Sequence, residues 1–410
     1  MKVLIYGINF APELTGIGKY SAEMAEWLHA EGHDVRVVTA PPYYPQWSVQ
    51  AGYHAGRYQR ESWHGIPVFR CPLWVPERPS GAKRMLHLVS FALSSLPALV
   101  AHWRWKPDVV WLTEPPLFCA PAALLFSRLR KAKSWLHIQD YEVDAAFALG
   151  LLQSGRMQRM VLACERWLLR RFDRVSTISQ RMLERAQSKG VDSVRLLSLP
   201  NWVDISAIQP LQQPSPYRAE LGIPDDAIVA LYSGNMGGKQ GLEILADAAV
   251  RLKDLPHIHF VLCGNGPARD DLMKRCAGLP RVRFIDLQPL ERLGDLLGLA
   301  DIHLLPQRAD AADLVMPSKL TGMLSSGRPV IATAHADTEL GKVVMACGSV
   351  VEPENAVALA HCIEWLASEP EVRRDMGLRA RAYAEQKISR GAVLRQLEVD
   401  LQACLGPQGP

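Results

Sequence analysis

Short apolar runs rich in β-branched residues alternate with longer amphipathic stretches throughout the first half of the chain. The apolar runs predict strands, and the amphipathic stretches predict helices. The predicted strands are 2–8, 34–39, 67–70, 108–113, 134–139, 174–178 and 194–198, and the helices are 18–31, 83–104, 120–131, 154–172 and 179–189. This alternation predicts an α/β fold with a doubly wound parallel sheet.

The same pattern restarts near residue 227, after a stretch rich in Pro and Gln that favours a linker. Here the predicted strands are 228–233, 258–263, 281–285, 301–305 and 329–333, and the helices are 240–253, 267–277, 290–299, 317–326 and 355–367. We therefore predict a first domain at 1–202, a linker at 203–220 and a second domain at 221–370. C-terminal helices in 371–410 can pack back on the first domain.

Length and composition agree with two globular domains. A chain of 410 residues is too long for one ordinary core, and 48% of its residues are hydrophobic. Its eight cysteines are scattered without a C-x-x-C pair, which predicts reduced thiols in a cytoplasmic protein. We expect no signal peptide, because the apolar run at residues 3–6 ends at Gly7 and predicts a strand.

Charge is distributed unevenly along the chain. Residues 1–200 carry 25 Lys and Arg against 16 Asp and Glu, a balance of +9, and the remainder carries 21 against 26, a balance of −5. A basic first domain favours an anionic membrane surface, although ordinary variation between domains explains the charge equally well.

The apolar segment 86–101 is shorter than the ~20 residues that span a bilayer. Cationic and Trp residues flank it at both ends, which is typical of a helix lying in the membrane interface. We expect a buried helix of the first domain, with an interfacial helix as the alternative.

The loop PELTGIGKY places Gly16 and Gly18 between a strand and a helix. The N–H groups there can point at a diphosphate, with help from the dipole of the helix N-terminus. A glycine turn of this kind is also common for structural reasons. The loop lacks the G-x-G-x-x-G pattern, so we expect no dinucleotide cofactor.

Three loops in the second half predict a phosphate site. They are GNMGGKQG (234–241), CGNGP (263–267) and MPSKLTGMLSSGRPVIA (316–332), and each follows a predicted strand or opens a helix. Lys239 and Lys319 are the cations available there for phosphate oxygens, beside the backbone of Gly264.

The segment HIQDYEVD places His137, Asp140, Glu142 and Asp144 at and beyond a strand end. Asp140 is well placed to orient or deprotonate an acceptor hydroxyl or to bind a sugar hydroxyl. Capping of a helix N-terminus is a competing role for Asp140. His137 fits a core-facing strand residue better than a catalyst.

Together these motifs resemble a known family. The motifs GNMG with QGLE, GNGP, LADIHLLP and PSKL with SGRPVIA resemble the second domain of family 4 glycosyltransferases, which have the GT-B fold. The opening KVLIYGINFAPELTGIGKY, with HIQDYEVDA and PNW, is similar to the colanic acid biosynthesis type of these enzymes.

The resemblance implies two Rossmann-like domains facing across a cleft, and transfer with retention of anomeric configuration. It implies a nucleotide-sugar substrate and neither a cofactor nor a metal. For the colanic acid type it implies a GDP-fucose donor and a lipid-diphosphate-linked saccharide acceptor, at the cytoplasmic face of the membrane. Nucleic acid is not expected as a partner, because the Arg-rich helix 156–171 spreads its charge over several faces and lacks a base-reading motif.

The chain departs from the family at several positions. Asn235 and Gln240 occupy places where many members have Arg and Lys, and Lys239 and Lys319 are the candidate compensating cations. Two family glutamates align with Leu314 and Gly322, so Asp313 is the candidate ribose ligand. Two alternatives therefore stay open: a sugar-nucleotide epimerase or hydrolase, and a catalytically inactive binding subunit of a polysaccharide complex.

Overall fold

The computed structural model describes residues 1–13, 16–77, 81–144, 155–206, 208–237, 240–308 and 317–406. The chain divides into two compact units. The first unit contains Met1–Asn201 and the chain from Leu394 onward, and the second contains Trp202–Val393. Each unit is an α/β domain built on its own sheet.

The sheet of the first unit has eight strands in the order β3-β4-β2-β1-β5-β6-β7-β8. The strands are β1 Lys2–Tyr6, β2 Asp34–Thr39, β3 Gln59–Trp63, β4 Ile66–Arg70, β5 Val109–Glu114, β6 Lys133–Ile138, β7 Arg174–Thr177 and β8 Leu196–Ser198. All neighbours pair in parallel except β3 and β4, which form an antiparallel hairpin at the edge. Because β3 is polar (QRESW), the hydrophobic pattern did not predict it.

The helices of this unit are α1 Gly16–Ala30, α2 Gly81–Ser94, α3 Leu96–Ala101, α4 Ala120–Arg130, α5 Gly155–Leu169 and α6 Gln180–Ser188. The prediction of one helix at 83–104 is wrong, because the segment breaks between α2 and α3. Pro97 lies in the first turn of α3 and has no N–H to donate to the preceding turn. Ser95 at the break hydrogen-bonds to the hydroxyl of Tyr6 at 2.5 Å.

The expected burial of this segment is also wrong. α2 turns His87 and Phe91 into the core, and these are its only fully buried residues. Leu86, Leu93 and Val100 remain 56%, 63% and 66% exposed. Gly81–Ala101 contains an 18-residue window with a mean hydropathy of 1.4 and is the one candidate membrane span among the residues that the structure describes.

The sheet of the second unit is entirely parallel, in the order β11-β10-β9-β12-β13-β14. Its strands are β9 Ile228–Ser233, β10 Ile258–Cys263, β11 Val282–Ile285, β12 Ile302–Leu305, β13 Val330–Thr333 and β14 Ser349–Val351. Its helices are α7 Pro216–Leu221, α8 Glu243–Arg251, α9 Arg269–Arg275, α10 Leu293–Gly298, α11 Ser318–Ser325, α12 Glu339–Cys347, α13 Ala356–Ser368, α14 Pro370–Tyr383 and the start of α15 Arg390–Leu405.

The segment predicted as a linker lies within the second unit. The N–H of Val203 donates to the carbonyl of Ile388 at 2.9 Å, and Ile208 and Tyr217 are buried. The C-terminal helices divide between the units. α14 belongs to the second, whereas the chain from Leu394 belongs to the first, where His33 hydrogen-bonds to Glu398 at 3.1 Å.

Candidate active site

The glycine loops of the second unit meet at the carboxyl edge of its parallel sheet, where open α/β sheets bind ligands. The loop after β9 and the loop after β10 lie against each other. The N–H of Gly234 donates to the carbonyl of Cys263 at 2.9 Å. Gly264 has φ +149°, and a Cβ at this position would lie 1.9 Å from the carbonyl oxygen of Gly234. Only glycine therefore permits this approach of the two loops.

Lys319 in the first turn of α11 faces this pair of loops. Its Nζ donates to the hydroxyl of Tyr232 at 2.8 Å and lies 4.5 Å from the centre of that ring. A Cβ on Gly234 would lie 2.8 Å from Cε of Lys319. Burial lowers the pKa of Lys319 to about 8. Among the described residues no carboxylate lies within ion-pair distance of Lys319, so its charge is available to an anion.

Asn235 and Gln240 lie beside the same loop. The carbonyl of Asn235 accepts the hydroxyl of Tyr232 at 2.6 Å, while the rest of the residue is exposed. The side-chain oxygen of Gln240 is buried and has no hydrogen-bond partner in the described part of the chain. A Cβ on Gly237 would lie 2.9 Å from that oxygen. Within the described chain, Gln240 thus has an unused acceptor next to the glycine loop.

The structure brings Asn235, Gln240, Gly264 and Lys319 together at one edge. Lys239 and Asp313, the other two predicted ligands in this half, lie outside the described residues. Gly322, at the place of a family glutamate, lies one turn along α11 from Lys319 and packs against Leu297.

The first unit contains a cavity of about 390 Å³. Its polar lining comes from Asn9, Gln139, Asp140, Glu142, Asn201 and Arg84, and its aromatic lining from Tyr20, Tyr43, Tyr44 and Trp47. Gly16 lies in its wall at the start of α1. A cavity with both polar and aromatic walls suits a sugar, which presents hydroxyls around its ring and apolar C–H groups on its faces.

Gly18 has a different environment from Gly16. A Cβ on Gly18 would lie 2.6 Å from a carboxylate oxygen of the buried Glu13. The other oxygen of Glu13 accepts the N–H groups of Tyr43 at 3.0 Å and Tyr44 at 2.9 Å. Gly18 therefore allows α1 to pack closely on a carboxylate that holds the aromatic wall of the cavity.

Two carboxyl groups of the cavity wall titrate above their ordinary range. Burial raises the pKa of Asp140, and the charge of Asp144 adds to this. Burial raises the pKa of Glu142 to about 7, although its Oε2 accepts the N–H of Leu117 at 2.7 Å. Carboxyl groups of this kind can accept a hydrogen bond from a sugar hydroxyl or take its proton.

His137 lies behind the cavity and supports its wall. It is buried, and burial lowers its pKa to about 3, so it is neutral. Its Nδ1 donates to the hydroxyl of Ser176 at 2.9 Å, and its Nε2 accepts from the amide nitrogen of Gln139 at 2.9 Å. The same amide nitrogen donates to Asn201 at 3.0 Å.

Asp144 is directed into an ion-pair cluster. Its carboxylate accepts hydrogen bonds from Arg185 at 2.9 Å and Lys189 at 3.0 Å, and Lys189 also pairs with Glu165. Burial raises the pKa of Asp144, but these hydrogen bonds outweigh it and hold the pKa below its ordinary value. Asp144 therefore stabilises this part of the domain through its ion pairs. Asp140 and Glu142 are the carboxyl groups that line the cavity.

Two residues of these sites were not recognised in the sequence. Tyr232 holds Lys319, and its only signal is its place directly before the glycine loop. Arg84 lines the cavity mouth with its guanidinium 5.3 Å from the ring centre of Trp47. No described carboxylate lies within ion-pair distance of Arg84.

Both halves of the chain match families of sugar-transferring enzymes. Residues 15–202 match the glycosyl transferase 4-like domain, and residues 227–369 match the glycosyl transferases group 1 domain. The chain belongs to this glycosyltransferase family. It is 46% identical to the putative colanic acid biosynthesis glycosyl transferase WcaI of Escherichia coli K12, over 98% of this chain and 100% of that protein.

Solved structures show the same fold. Sucrose-phosphate synthase from Thermosynechococcus elongatus matches with a TM-score of 0.70 and 17% identity, over 100% of both chains. Anabaena HepE in complex with UDP matches with a TM-score of 0.68 and 16% identity, over 98% of this chain and 100% of that one. The predictions of family membership and of two α/β domains of the GT-B type are confirmed.

Proposed function

We propose that this protein transfers a sugar from a nucleoside diphosphate to a lipid-diphosphate-linked saccharide during assembly of a colanic acid-like exopolysaccharide. The observation that carries the proposal is the half-buried cation of Lys319, which has no carboxylate partner among the described residues and lies against the glycine loops at the carboxyl edge of a parallel sheet. The name of the 46% identical relative supports the pathway.

The donor diphosphate binds to the second unit. Lys319 neutralises its charge, and the hydroxyl of Tyr232 keeps the ammonium in place. The dipole of α11 at its N-terminus adds to the attraction. These groups stabilise the leaving diphosphate without a metal. Activity in EDTA tests that part of the proposal.

The acceptor saccharide binds in the cavity of the first unit. Asp140 orients the attacking hydroxyl, and Trp47 offers a ring for the apolar face of a sugar. Arg84 at the cavity mouth contacts the acceptor phosphate.

Transfer proceeds with retention of configuration. The acceptor oxygen bonds to the anomeric carbon on the face from which the diphosphate departs. The anomeric C–O bond breaks, and a phosphate oxygen of the leaving group takes the hydroxyl proton.

A lipid-linked acceptor requires access to a membrane. α2 and α3 leave Leu86, Leu93 and Val100 exposed, and Lys83 and Arg84 lie on the same stretch. Together with the balance of +9 over residues 1–200, this surface supports peripheral binding to the cytoplasmic face of an anionic membrane.

The proposed donor is GDP-fucose, from the resemblance to colanic acid enzymes. Purified protein is given a panel of GDP- and UDP-sugars with a short-chain lipid-diphosphate glucose acceptor. Product from GDP-fucose alone supports the proposal. Product from another donor supports a transferase but replaces GDP-fucose as its donor.

Two controls make this experiment specific. The same glucoside without the diphosphate is a poorer acceptor if Arg84 contacts phosphate. Donor hydrolysis that is independent of any acceptor points to a hydrolase or epimerase. Absence of both product and nucleotide binding overturns the proposal in favour of an inactive binding subunit.

A further inference from the structure

The second unit contains another cavity, of about 280 Å³, at the edge of its sheet opposite to Lys319. Asp301, immediately before β12, and Arg328, two residues before β13, line it, so it lies at the amino ends of these strands. Lys319 lies at the carboxyl edge. A strand of four residues spans about 13 Å, so the two sites are separate.

Four arginines line this cavity, which we name the arginine cavity: Arg328, Arg373, Arg374 and Arg381. Asp301 is the one carboxylate in its lining. That carboxylate already accepts Arg218 at 2.8 Å and the N–H of Val229 at 2.8 Å. The cavity therefore carries a surplus of positive charge.

Two of the arginines are held in place, Arg373 by backbone carbonyls and Arg381 by a backbone carbonyl and an ion pair with Glu385. Arg373 donates through Nη1 to the carbonyls of Leu366 and Ala367 at the end of α13. Arg381 donates through Nη1 to the carbonyl of Ser325 at 2.7 Å and through Nε to Glu385 at 2.8 Å. Each guanidinium has five N–H groups, so both keep donors for a ligand while their orientation is fixed.

The other two arginines lack strong partners. Nε of Arg328 is buried without a hydrogen-bond partner in the described chain, and its Nη2 reaches the carbonyl of Gly298 only at 3.5 Å. Arg374 is exposed at the rim, and no described carboxylate lies within ion-pair distance of it. Burial lowers the pKa of Arg373, and the charge of Asp301 offsets this only in part.

We propose that the arginine cavity binds a small phosphate-bearing anion, independently of the sugar donor. Guanidinium groups form paired hydrogen bonds with phosphate oxygens, and an anion would relieve the repulsion among the four cations. The volume suits one or two phosphate groups. The ligand is either a soluble phosphate compound or the headgroup of an anionic lipid.

The test is calorimetric titration of the full chain with inorganic pyrophosphate. Lys319→Met removes the proposed donor cation and, on this proposal, leaves one pyrophosphate site intact. In that background Arg328→Gln or Arg374→Gln weakens binding about tenfold or more. Arg379→Gln is the control, because Arg379 lies on the same helix but is exposed and paired with Asp375 at 2.8 Å.

Complete loss of pyrophosphate binding in Lys319→Met alone overturns the proposal, as does equal binding by the Arg374→Gln and Arg379→Gln variants. Arg374 is exposed, so its variant is expected to fold, and circular dichroism verifies this.

Sedimentation with phosphatidylglycerol vesicles then identifies the source of the phosphate. A smaller bound fraction for Arg374→Gln than for Arg379→Gln assigns the site to a lipid headgroup. Equal bound fractions, with pyrophosphate binding lost only in Arg374→Gln, assign it to a soluble compound.

Discussion

Individual side chains at both sites have ionisation properties that the sequence does not reveal. Lys319 and Asp140 could be predicted, because each stands in a recognisable loop at a strand end. Tyr232 and Glu142 could not be assigned roles, since these depend on contacts across the sheet. Burial, which shifts their pKa values, is a property of the folded domain and not of a local motif.

The charge of Lys319 makes donor binding dependent on pH. Its pKa of about 8 means that the free protein loses this charge as pH rises through that value. We expect the donor Kd to increase severalfold between pH 7 and pH 9, measured by calorimetry. Lys319→Arg keeps its charge and should lose this alkaline dependence.

Lys319→Met separates binding from stability. The pKa of Lys319 lies below its ordinary value of 10.5, so between pH 8 and 10.5 the unfolded chain binds more protons than the folded protein. The charge of Lys319 therefore destabilises the fold at neutral pH. The variant should lose donor binding without a lower melting temperature at pH 7. A clearly lower melting temperature would contradict this account.

Glu142 should make the stability of the protein fall as pH rises. Its pKa of about 7 lies above the ordinary 4.5, so the folded protein binds more protons than the unfolded chain between these values. Stability from this group is present below pH 4.5 and is lost as pH rises through 7. Glu142→Gln removes the loss, on the order of 1–3 kcal/mol. Urea unfolding of both proteins at pH 5 and pH 8 measures it.

Elements with a strong apolar pattern could be predicted well, and polar ones could not. The bounds predicted for β2, β9 and β10 coincide with those observed. β3 was missed because it is polar, and β14, with three residues, was missed although the equally short β8 was predicted. The break between α2 and α3 was missed because the apolar pattern continues through Pro97.

Because the loops after β9 and β10 are in contact, adding one methyl group at Gly264 should lower the stability of the fold strongly. Gly264→Ala forces a Cβ onto the carbonyl of Gly234 and should destabilise the fold by about 3–5 kcal/mol. Gly278→Ala is the matched control. Its φ is also positive, at +81°, but nothing lies within 4 Å, so about 1 kcal/mol is expected. Similar losses for the two variants in urea unfolding would refute the contact.

The exposed face of α2 and α3 predicts vesicle binding. Leu93→Glu and Val100→Glu place charges on this face and should reduce binding to phosphatidylglycerol vesicles severalfold in sedimentation. Leu287→Glu changes a residue of the second unit that is 58% exposed and serves as the control. An equal reduction by all three variants would show that the face has no special part in membrane binding.

At the scale of the whole molecule, two α/β units could be predicted because the strand–helix pattern visibly restarts. The packing of the predicted linker, 203–220, within the second unit could not. The segment 203–220 pairs with residues far along the chain, and sequence pattern carries no record of such pairings. The uneven charge of the two halves was visible at once from composition.

That charge predicts a salt dependence. If residues 1–200, with their balance of +9, attract an anionic surface, then vesicle binding should fall at least tenfold between 50 mM and 500 mM salt. Neutral phosphatidylcholine vesicles should bind weakly at both concentrations. Binding that is insensitive to salt would assign the interaction to the apolar face alone.

The hydrogen bonds around His137 give the wall of the first cavity a fixed polarity. Both bonds made by the Gln139 amide use its nitrogen, so its oxygen remains for a ligand. Burial lowers the pKa of His137 to about 3, so the imidazole is neutral and one of its nitrogens must accept; here Nε2 accepts from Gln139. The side-chain oxygen of Gln139 therefore favours a ligand hydroxyl, which can donate a hydrogen bond to it. It disfavours a carboxylate or phosphate oxygen, which can only accept. On the proposed function, a phosphate-linked saccharide would therefore place a donating hydroxyl at Gln139 and its phosphate at Arg84, since both residues line this cavity.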